Sequence, residues 1–441
     1  MRRACGRIEA AGLLERADPL ASLEGRPSLL ESIRRAYGEP LTPSAVVDRI
    51  IDDVRLHGDE AVAYHTRRVT GVVVASLEIP AADIAAACGR VEPELVSALK
   101  TAAERIRAFH QACKVATGVR FIDNELGRLV LPLQRVGLYV PGGRYSYPSS
   151  VLMSAIPARV AGVAEVMVAT PPNGQGGIAP ATLAACFIAG VDRVFAMGGA
   201  QAVAALAYGT QSVPRVDKIC GPGNIFVTLA KKKVFGSVAI DSLAGPSEVL
   251  IIADETASPS YCAADMLAQA EHDPEAVVAL VTDSSVLADE VEREVITQMR
   301  ELGDPAPLQE AIGRAVVAVV DSIDDAVDLC NRFAPEHLEI LVAEPHQHLA
   351  GIRNAGCICL GSDSPVVMGD YVDGPSHVLP TGGSARFSSV LSVEDFVKYS
   401  SIAQLSSATM SRLGPAAITI ARAEGLEAHA RAVEQRLRHA P

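Results

Sequence analysis

The chain has 441 residues, 49% hydrophobic and 21% charged, which is enough apolar material for a large core and a length for about two to four domains. Its formal net charge of −13 and the lack of a long Lys/Arg run argue against nucleic acid or an anionic membrane as the partner and favour a small-molecule substrate. No apolar stretch approaches the length of a membrane span, so we expect a cytoplasmic protein.

From about residue 136, short apolar runs alternate with Ala-rich helical stretches, which is typical of parallel sheets covered by helices. The sequence therefore predicts an α/β protein with two layers. Residues 43–68 keep the apolar period of a helix, which we expect to join the second layer. The predicted strands are 136–140, 165–170, 193–197 and 217–220 in the first layer, and 249–253, 277–281, 315–320, 338–342 and 357–360 in the second.

Glycine-rich turns follow three of these strands, at residues 142–143, 198–199 and 221–223. Such turns let backbone amides approach a ligand at the strand ends, where α/β proteins commonly bind one. None of them is a dinucleotide-binding fingerprint, and tight connections alone explain each one equally well. A nucleotide site and a simple chain reversal are both compatible with these turns.

The predicted helix over 259–272 closes with Gln269 and His272, which could form half of a metal site. On a helix these two and Asp265 lie within roughly 60° of one another, about half a turn from the apolar stripe. A solvated polar face is the simpler explanation of an isolated pair, so the hypothesis needs further ligands. Cys262 on the same helix has no neighbouring histidine, and we interpret it as a packing residue.

Glu336 and His337 precede the predicted strand 338–342 and place an acid beside an imidazole. Histidine titrates near neutrality and can take a proton from an alcohol, and a carboxylate can do the same to water. The alternative interpretation is an exposed polar pair at the entrance to a strand.

The loop before residue 378 carries Asp370 and His377 among turn-forming residues, which favours either ligand binding or solubility. Together with Gln269 and His272, Asp370 and a histidine of the tail, His429, would make a nitrogen and oxygen donor set suited to zinc. The sequence does not choose which histidine completes that set.

Six segments of the chain look like motifs of histidinol dehydrogenases, and they occur in the order found in that family. They are residues 136–143, 221–224, 244–249, 269–272, 334–338 and 377–381. On these motifs the chain resembles the histidinol dehydrogenase family from about residue 43 to residue 438.

The resemblance implies two incomplete Rossmann-like parallel-sheet domains with small helical N- and C-terminal domains. The implied domains are a helical arm (1–31), a first α/β domain with the metal and catalytic residues (32–138 and 249–390), a second α/β domain that binds NAD (139–248), and a C-terminal helical domain (391–441). The last of these would be exchanged between the subunits of a homodimer with shared active sites.

The family activity implied by the resemblance is the oxidation of L-histidinol through L-histidinal to L-histidine, the last step of histidine biosynthesis, with NAD and one zinc ion per subunit. The implied metal ligands are Gln269, His272, Asp370 and His429, the last from the other subunit. The implied catalytic residues are Glu336 and His337, the NAD contacts are Tyr139, Gln201 and Asn224, and the substrate contacts are Ser247, Gln269, His272, Glu336, Asp370, His377, Glu424 and His429.

The loop around His377 departs from the family pattern. Ser376 stands where Asn is common, and Val372 with Asp373 replaces smaller residues. These differences keep open a second hypothesis, a related NAD-dependent dehydrogenase that oxidises another small alcohol, amino alcohol or hydroxysulfonate.

Retention of His377, Glu424 and His429 weighs against that second hypothesis, because these positions serve an imidazole-bearing substrate and the metal. A third hypothesis is a nucleotide-binding or regulatory protein without catalysis, which the intact Glu336 and His337 oppose.

Overall fold

A computed structural model describes residues 1–16, 25–142, 146–303 and 305–438 of the chain. Gly143, which ends the first family motif, and residues 17–24 of the predicted arm lie outside the described residues. The chain divides into two compact units, one of Met1–Lys114 with Leu133–Phe396, the other of Val115–Pro132 with the chain from Val397 onward. The described residues form parallel sheets covered by helices, so the predicted α/β class is confirmed.

The strands are β1 (Arg2–Cys5), β2 (Gly118–Phe121), β3 (Leu126–Pro132), β4 (Arg135–Tyr139), β5 (Glu165–Thr170), β6 (Arg193–Ala196), β7 (Lys218–Cys220), β8 (Ala239–Ile240), β9 (Glu248–Ala253), β10 (Val277–Thr282), β11 (Val316–Val319), β12 (His337–Leu341), β13 (Cys357–Leu360) and β14 (Val397–Ala403). The α-helices are α1 (Arg7–Leu13), α2 (Pro27–Tyr37), α3 (Pro43–His57), α4 (Asp59–Thr70), α5 (Ala81–Ala85), α6 (Pro93–Cys113), α7 (Pro148–Ala161), α8 (Pro180–Ala189), α9 (Gly199–Tyr208), α10 (Ile225–Val234), α11 (Pro259–Ala270), α12 (Ser285–Glu301), α13 (Ala306–Arg314), α14 (Ile323–Phe333), α15 (Val366–Tyr371), α16 (Ser407–Ala423) and α17 (Glu427–Arg438). None of the described helices is long and apolar enough to cross a bilayer.

The six-stranded sheet of the first unit is parallel throughout, in the order β1-β11-β10-β9-β12-β13. Its central strand β9 is apolar after its first residue, and all of its residues are buried. Val249 and Ile251 belong to the core beneath α11, α12 and α13, while Leu250 and Ile252 belong to the core beneath α1 and α14. Because helices cover both faces of the sheet, the residues of β9 do not alternate between apolar and polar.

The five-stranded sheet of the same unit is also parallel, in the order β6-β5-β4-β7-β8. The chain order reverses at β4, because β5 and β6 lie on one side of it and β7 and β8 on the other. Open α/β sheets bind ligands at the carboxyl ends of the strands beside such a reversal. The predicted domain boundary between residues 138 and 139 falls inside β4, and the remaining boundaries stay predictions.

Helices α3 and α4 pack on the five-stranded sheet. Their apolar positions, among them Val47 and Ile50, share a core with Phe195 and Met197. Gly58, at φ 57°, separates the two helices. The prediction of one helix over 43–68 that joins the second layer is therefore wrong. The 3.6-residue period shows which face of a helix is apolar, but it does not show which sheet that face covers.

The amino terminus forms a strand as well as a helix. Residues of β1 pair in parallel register with β11, from Arg2 opposite Val316 to Cys5 opposite Val319, and β1 is the edge of the six-stranded sheet. The prediction of a purely helical arm over 1–31 is wrong at this strand. Only Ala4 of its four residues is buried, so the sequence shows no alternating pattern.

The second unit combines an antiparallel sheet, in the order β14-β3-β2, with the helices α16 and α17. Ser406 caps α16 by accepting a hydrogen bond from the N–H of Thr409 at 3.2 Å, and Gly425, at φ 77°, separates the two helices. The helical prediction for 391–441 is thus right for α16 and α17 and misses β14. No residue of β14 is fully buried, so its sequence lacks the apolar alternation of a covered strand.

Candidate active site

The predicted catalytic pair lies at the amino edge of the six-stranded sheet. His337 is the first residue of β12 and pairs in register with Val249 of β9, so the starts of these two strands are neighbours. Glu248 begins β9 and Glu336 immediately precedes β12. Three potentially charged side chains therefore meet where the two strands enter the sheet.

Glu336 is 6% exposed, and its carboxylate Oε2 accepts a hydrogen bond from the backbone N–H of Glu248 at 2.7 Å. Burial is the main cause that raises the pKa of Glu336 well above its ordinary value, and the negative charge of Glu248 adds to it. A carboxyl group with a raised pKa binds a proton more tightly, which suits it to act as a general base toward water.

His337 is also 6% exposed, and its Nδ1 lies 3.0 Å from the backbone carbonyl of Glu248. A carbonyl can only accept a hydrogen bond, so Nδ1 carries the proton and Nε2 has a free lone pair. Burial lowers the pKa of His337, an effect that the charge of Asp370 opposes. The imidazole is therefore held neutral, in the tautomer that can accept a proton at Nε2.

The predicted metal ligands of the first unit include one close pair. His272 Nε2 is 3.9 Å from Oδ2 of Asp370, which lies on α15. Helix α11 ends at Ala270, so Gln269 lies in its last turn and His272 follows the helix, contrary to the prediction that the helix includes it. Gln269 is only 3% exposed, which a solvated polar face does not explain.

These nitrogen and oxygen donors are of the kind that zinc accepts. They are an incomplete set, since in the described part of the chain no three His, Cys, Asp or Glu side chains form a cluster that could hold a metal ion. The fourth predicted ligand, His429, is an exposed residue of α17 in the second unit, and Glu424 is exposed at the end of α16.

His377 is held from two sides. Its Nδ1 lies 2.8 Å from the backbone carbonyl of Asp370, so Nδ1 carries the proton, and the Ser150 hydroxyl donates to Nε2 over 3.1 Å. Ser376, the residue that departs from the family pattern, is 3% exposed, and its hydroxyl accepts from the N–H of Val378 at 3.1 Å. The altered residue thus stabilises its own turn, and Ser150 on α7 is a partner of His377 that the sequence did not indicate.

The predicted NAD contacts lie at the carboxyl edge of the five-stranded sheet. Tyr139 ends β4, Gln201 is in the first turn of α9 after β6, and Asn224 caps α10 after β7. Asn224 is exposed, whereas Tyr139 is 4% and Gln201 3% exposed. The Tyr139 hydroxyl accepts from the N–H of Gly199 at 3.1 Å, so this side chain supports the turn after β6. The assignment of NAD to these three residues stays a prediction.

A cavity of about 440 Å³ opens beside Asn224. Gly223 lines it from the carboxyl edge of the five-stranded sheet, while Gly245 and Pro246, just before β9, and Asp273, just after His272, line it from the amino edge of the six-stranded sheet. Its volume is within the range of small-molecule sites. The cavity is therefore lined from both sheets of the first unit, and Asn224 is the predicted cofactor contact that faces it.

Gly221, between β7 and Asn224, is held against the neighbouring strand. Its φ is +112°, and a Cβ there would lie 2.0 Å from the carbonyl oxygen of Tyr139. Its N–H donates to Asp241 over 2.6 Å, and its carbonyl accepts from the Lys231 ammonium at 2.9 Å. No side chain fits at this position, so the turn toward Asn224 depends on glycine.

Replacing Gly221 with alanine should lower the free energy of unfolding by at least about 3 kcal/mol, because steric overlap adds to an unfavourable φ. Gly236 is a matched control, since its φ is +101° and no described atom would lie within 4 Å of a methyl group added there. For Gly236→Ala we expect a loss of about 1–2 kcal/mol from backbone strain alone. Urea unfolding of both variants measures the difference, and equal losses would contradict the predicted overlap.

Two features of the turn that carries Glu336 and His337 were not predicted from the sequence. Ala334, at φ 53°, is the one non-glycine residue with positive φ in the described part of the chain, and it joins α14 to the Glu336 turn. This conformation costs roughly 1–3 kcal/mol, so surrounding contacts must hold it in place. The second feature is Glu248, a charged residue that is 2% exposed at the start of an apolar strand. The position of Glu248 at the start of an apolar strand could have indicated a buried carboxylate that needs a charged partner. Nothing in the sequence indicates the strain at Ala334.

Comparison with known proteins decides the family. The model of the histidinol dehydrogenase family matches residues 35–437 of the chain. The chain belongs to the histidinol dehydrogenase family. This membership confirms the prediction of a dehydrogenase that was made from the six sequence motifs.

Curated histidinol dehydrogenases are similar over most of the chain. The enzyme of Dehalococcoides mccartyi is 52% identical over 396 residues, which cover 90% of this chain and 91% of that protein. The enzyme of Deinococcus radiodurans is 49% identical over 419 residues, with coverage of 93% and 94%. A crystal structure of histidinol dehydrogenase from Elizabethkingia anophelis matches with a TM-score of 0.88 at 32% identity and covers 99% of this chain and 98% of that one. The predicted α/β fold class of this histidinol dehydrogenase family member is thereby confirmed.

Proposed function

We propose that the chain oxidises L-histidinol through L-histidinal to L-histidine, with NAD as the oxidant and one zinc ion per subunit. The observation that carries this proposal is the pairing of His337 and Glu336 at the amino edge of the sheet. Burial makes the imidazole less basic and the carboxyl group more basic than usual, and each group contacts the backbone of Glu248. One site thus offers two bases suited to two successive oxidations.

In the first oxidation, His337 acts on the alcohol. Its Nδ1 proton is bonded to the Glu248 carbonyl, so Nε2 accepts the hydroxyl proton as the carbinol carbon loses a hydride to NAD. The product is the aldehyde, and the site keeps it beside the same two bases.

In the second oxidation, Glu336 accepts a proton from the water that adds to the aldehyde carbon. His337, after releasing its first proton to solvent, then takes the hydroxyl proton of the hydrate while the carbon loses a second hydride to a second NAD, which yields the carboxylate. The closeness of the two side chains supports one site for both steps, because His337 Nδ1 lies 3.7 Å from Glu336 Oε2.

Zinc would be held by Gln269, His272 and Asp370 together with His429 of the partner subunit, in a homodimer with shared sites. When bound, the ion would orient the substrate through its imidazole and amine. Ser247, His377 and Glu424 would complete the substrate contacts.

NAD would bind at the carboxyl edge of the five-stranded sheet, where Asn224 faces the cavity. The chain order reverses at the strand that Tyr139 ends, which favours a nucleotide at this edge. Tyr139 and Gln201 would pack beneath the NAD site and hold its surrounding turns in place, because both side chains are largely buried.

The assay that tests this function supplies L-histidinol, NAD and zinc and follows NADH formation. We expect two NADH per L-histidinol, loss of turnover after chelation, and its recovery when zinc is returned. The related-dehydrogenase hypothesis predicts instead that L-histidinol gives no NADH while another small alcohol, amino alcohol or hydroxysulfonate does. That result would overturn the proposal.

A further inference from the structure

Arg16 of the N-terminal segment reaches the turn that carries the catalytic pair. Its Nε donates to the carbonyl of Phe333 at 2.8 Å and one Nη to the carbonyl of Ala334 at 3.4 Å. The guanidinium lies 3.8 Å from the centroid of the Phe333 ring. These contacts hold the end of α14 and the strained residue that leads to Glu336 and His337.

The same guanidinium forms a two-pronged ion pair with Glu248. Nη1 donates to Oε1, and Nη2 donates to Oε2 at 2.7 Å. In the described part of the chain, Arg16 is the one cation paired with this carboxylate, which is 2% exposed. A buried carboxylate that loses its only counter-charge is strongly destabilised in place, so Glu248 keeps its position through Arg16.

Glu248 in turn connects three segments of the site. Its backbone N–H and carbonyl engage Glu336 and His337 at 2.7 and 3.0 Å. Its carboxylate accepts the backbone N–H of Glu336 at 3.3 Å and that of Gly382 at 3.1 Å, the latter in the segment that follows His377. Displacement of Glu248 would therefore move both proposed bases at once.

We propose that Arg16 and Glu248 form a positioning pair for the catalytic residues, in which the N-terminal segment neutralises Glu248 and thereby fixes the orientation of Glu336 and the tautomer of His337. Neither residue acts on the reacting atoms. The inference rests on the proposed function, because it assigns a role in orienting the two bases of that reaction.

The test compares the full-length, zinc-loaded protein with its Arg16→Ala and Arg16→Lys variants. We expect kcat for L-histidinol to fall roughly 10–100-fold in Arg16→Ala, as misplaced catalytic groups do, while the KM for NAD stays unchanged. Arg16→Lys should recover only part of the loss, because an ammonium group cannot form the two-pronged contact. Millimolar guanidinium should restore kcat in Arg16→Ala and leave the unaltered protein unaffected.

Arg7→Ala is the matched control. Arg7 also joins the N-terminal segment to α14, through Asp325 at 3.3 Å and Asp328 at 2.9 Å, but it does not contact Glu248. We expect Arg7→Ala to keep its kcat. If its thermal stability decreases slightly, kcat should still not change. An equal fall in kcat for Arg7→Ala and Arg16→Ala would show that docking of the segment alone matters, and it would overturn the proposal.

A second readout does not depend on turnover. In protein labelled with ¹⁵N-histidine, the Nδ1 proton of His337 should give a slowly exchanging signal that is lost in Arg16→Ala and kept in Arg7→Ala. A signal and a kcat that both survive in Arg16→Ala would overturn the positioning role. Absence of any turnover of L-histidinol by the unaltered protein would instead overturn the proposed function, so the two failures are distinguishable.

Discussion

Glu336→Gln should slow the aldehyde half-reaction by about 10²–10⁴-fold and leave the alcohol half-reaction much less affected. The amide cannot accept the proton of the attacking water, but it keeps the volume of the side chain and an oxygen that can accept the N–H of Glu248, now 2.7 Å from the carboxylate. Supplying L-histidinal measures the second step, and single-turnover formation of NADH from L-histidinol measures the first. Equal losses in both steps would refute the division of roles between the two bases.

Glu339→Gln is a matched control on the same strand. This carboxyl group is fully buried and accepts the N–H of Val366 at 2.9 Å. Burial raises the pKa of Glu339, and the neighbouring carboxyl group of Asp265 adds to the effect, so the protonated form is favoured and an uncharged amide of the same size is a close replacement. We expect near-normal rates in both half-reactions, which would show that loss of any buried carboxyl group is not enough to slow the aldehyde step.

The pH profile gives the same prediction an independent check. In the proposed mechanism Glu336 acts as the ionised form, and burial raises its pKa, so the rate of the aldehyde step should begin to fall at a higher pH as the solution is acidified. In the same mechanism His337 acts as the neutral form, and burial lowers its pKa, so the alcohol step should stay active to a lower pH. On acidification, we expect the rate of the aldehyde step to fall at a higher pH than the rate of the alcohol step.

His337→Asn should lower the rates of both half-reactions by about 10²–10⁴-fold, because in the proposed mechanism the same imidazole accepts a proton in each. Asparagine can still donate a hydrogen bond to the Glu248 carbonyl, which lies 3.0 Å from Nδ1, but it offers no base in place of Nε2. The two half-reaction assays measure the loss, and thermal unfolding shows whether the variant remains folded. A folded variant with an unimpaired alcohol step would exclude His337 as the base.

Much of the fold could be predicted because the apolar runs are long and buried on both faces. The predicted strands over 165–170 and 357–360 have the observed bounds. Periodicity carries no information about partners, so the sheet that residues 43–68 cover was predicted wrongly. Strands with little buried surface, such as β1 and β14, leave no apolar pattern to detect.

The sequence could predict the part of the candidate site in which residues suited to proton transfer lie within a family motif. Glu336 and His337 are adjacent in the sequence, and their types suit proton transfer, so the sequence alone could propose them as a catalytic pair. Arg16 lies 232 positions from Glu248 and in no motif, so their contact depends on how β1 and α1 place the segment. Such a long-range pair is a product of tertiary packing, which local sequence patterns do not encode.

The edge position of β1 bears on how the protein can be shortened. Residues 2–5 cover the outer side of β11, although they lie outside the match to the family model, which begins at residue 35. Their removal would leave the amide and carbonyl groups of β11 free to recruit strands from other molecules. Truncated forms should therefore be checked for self-association by light scattering before a fall in turnover is attributed to chemistry.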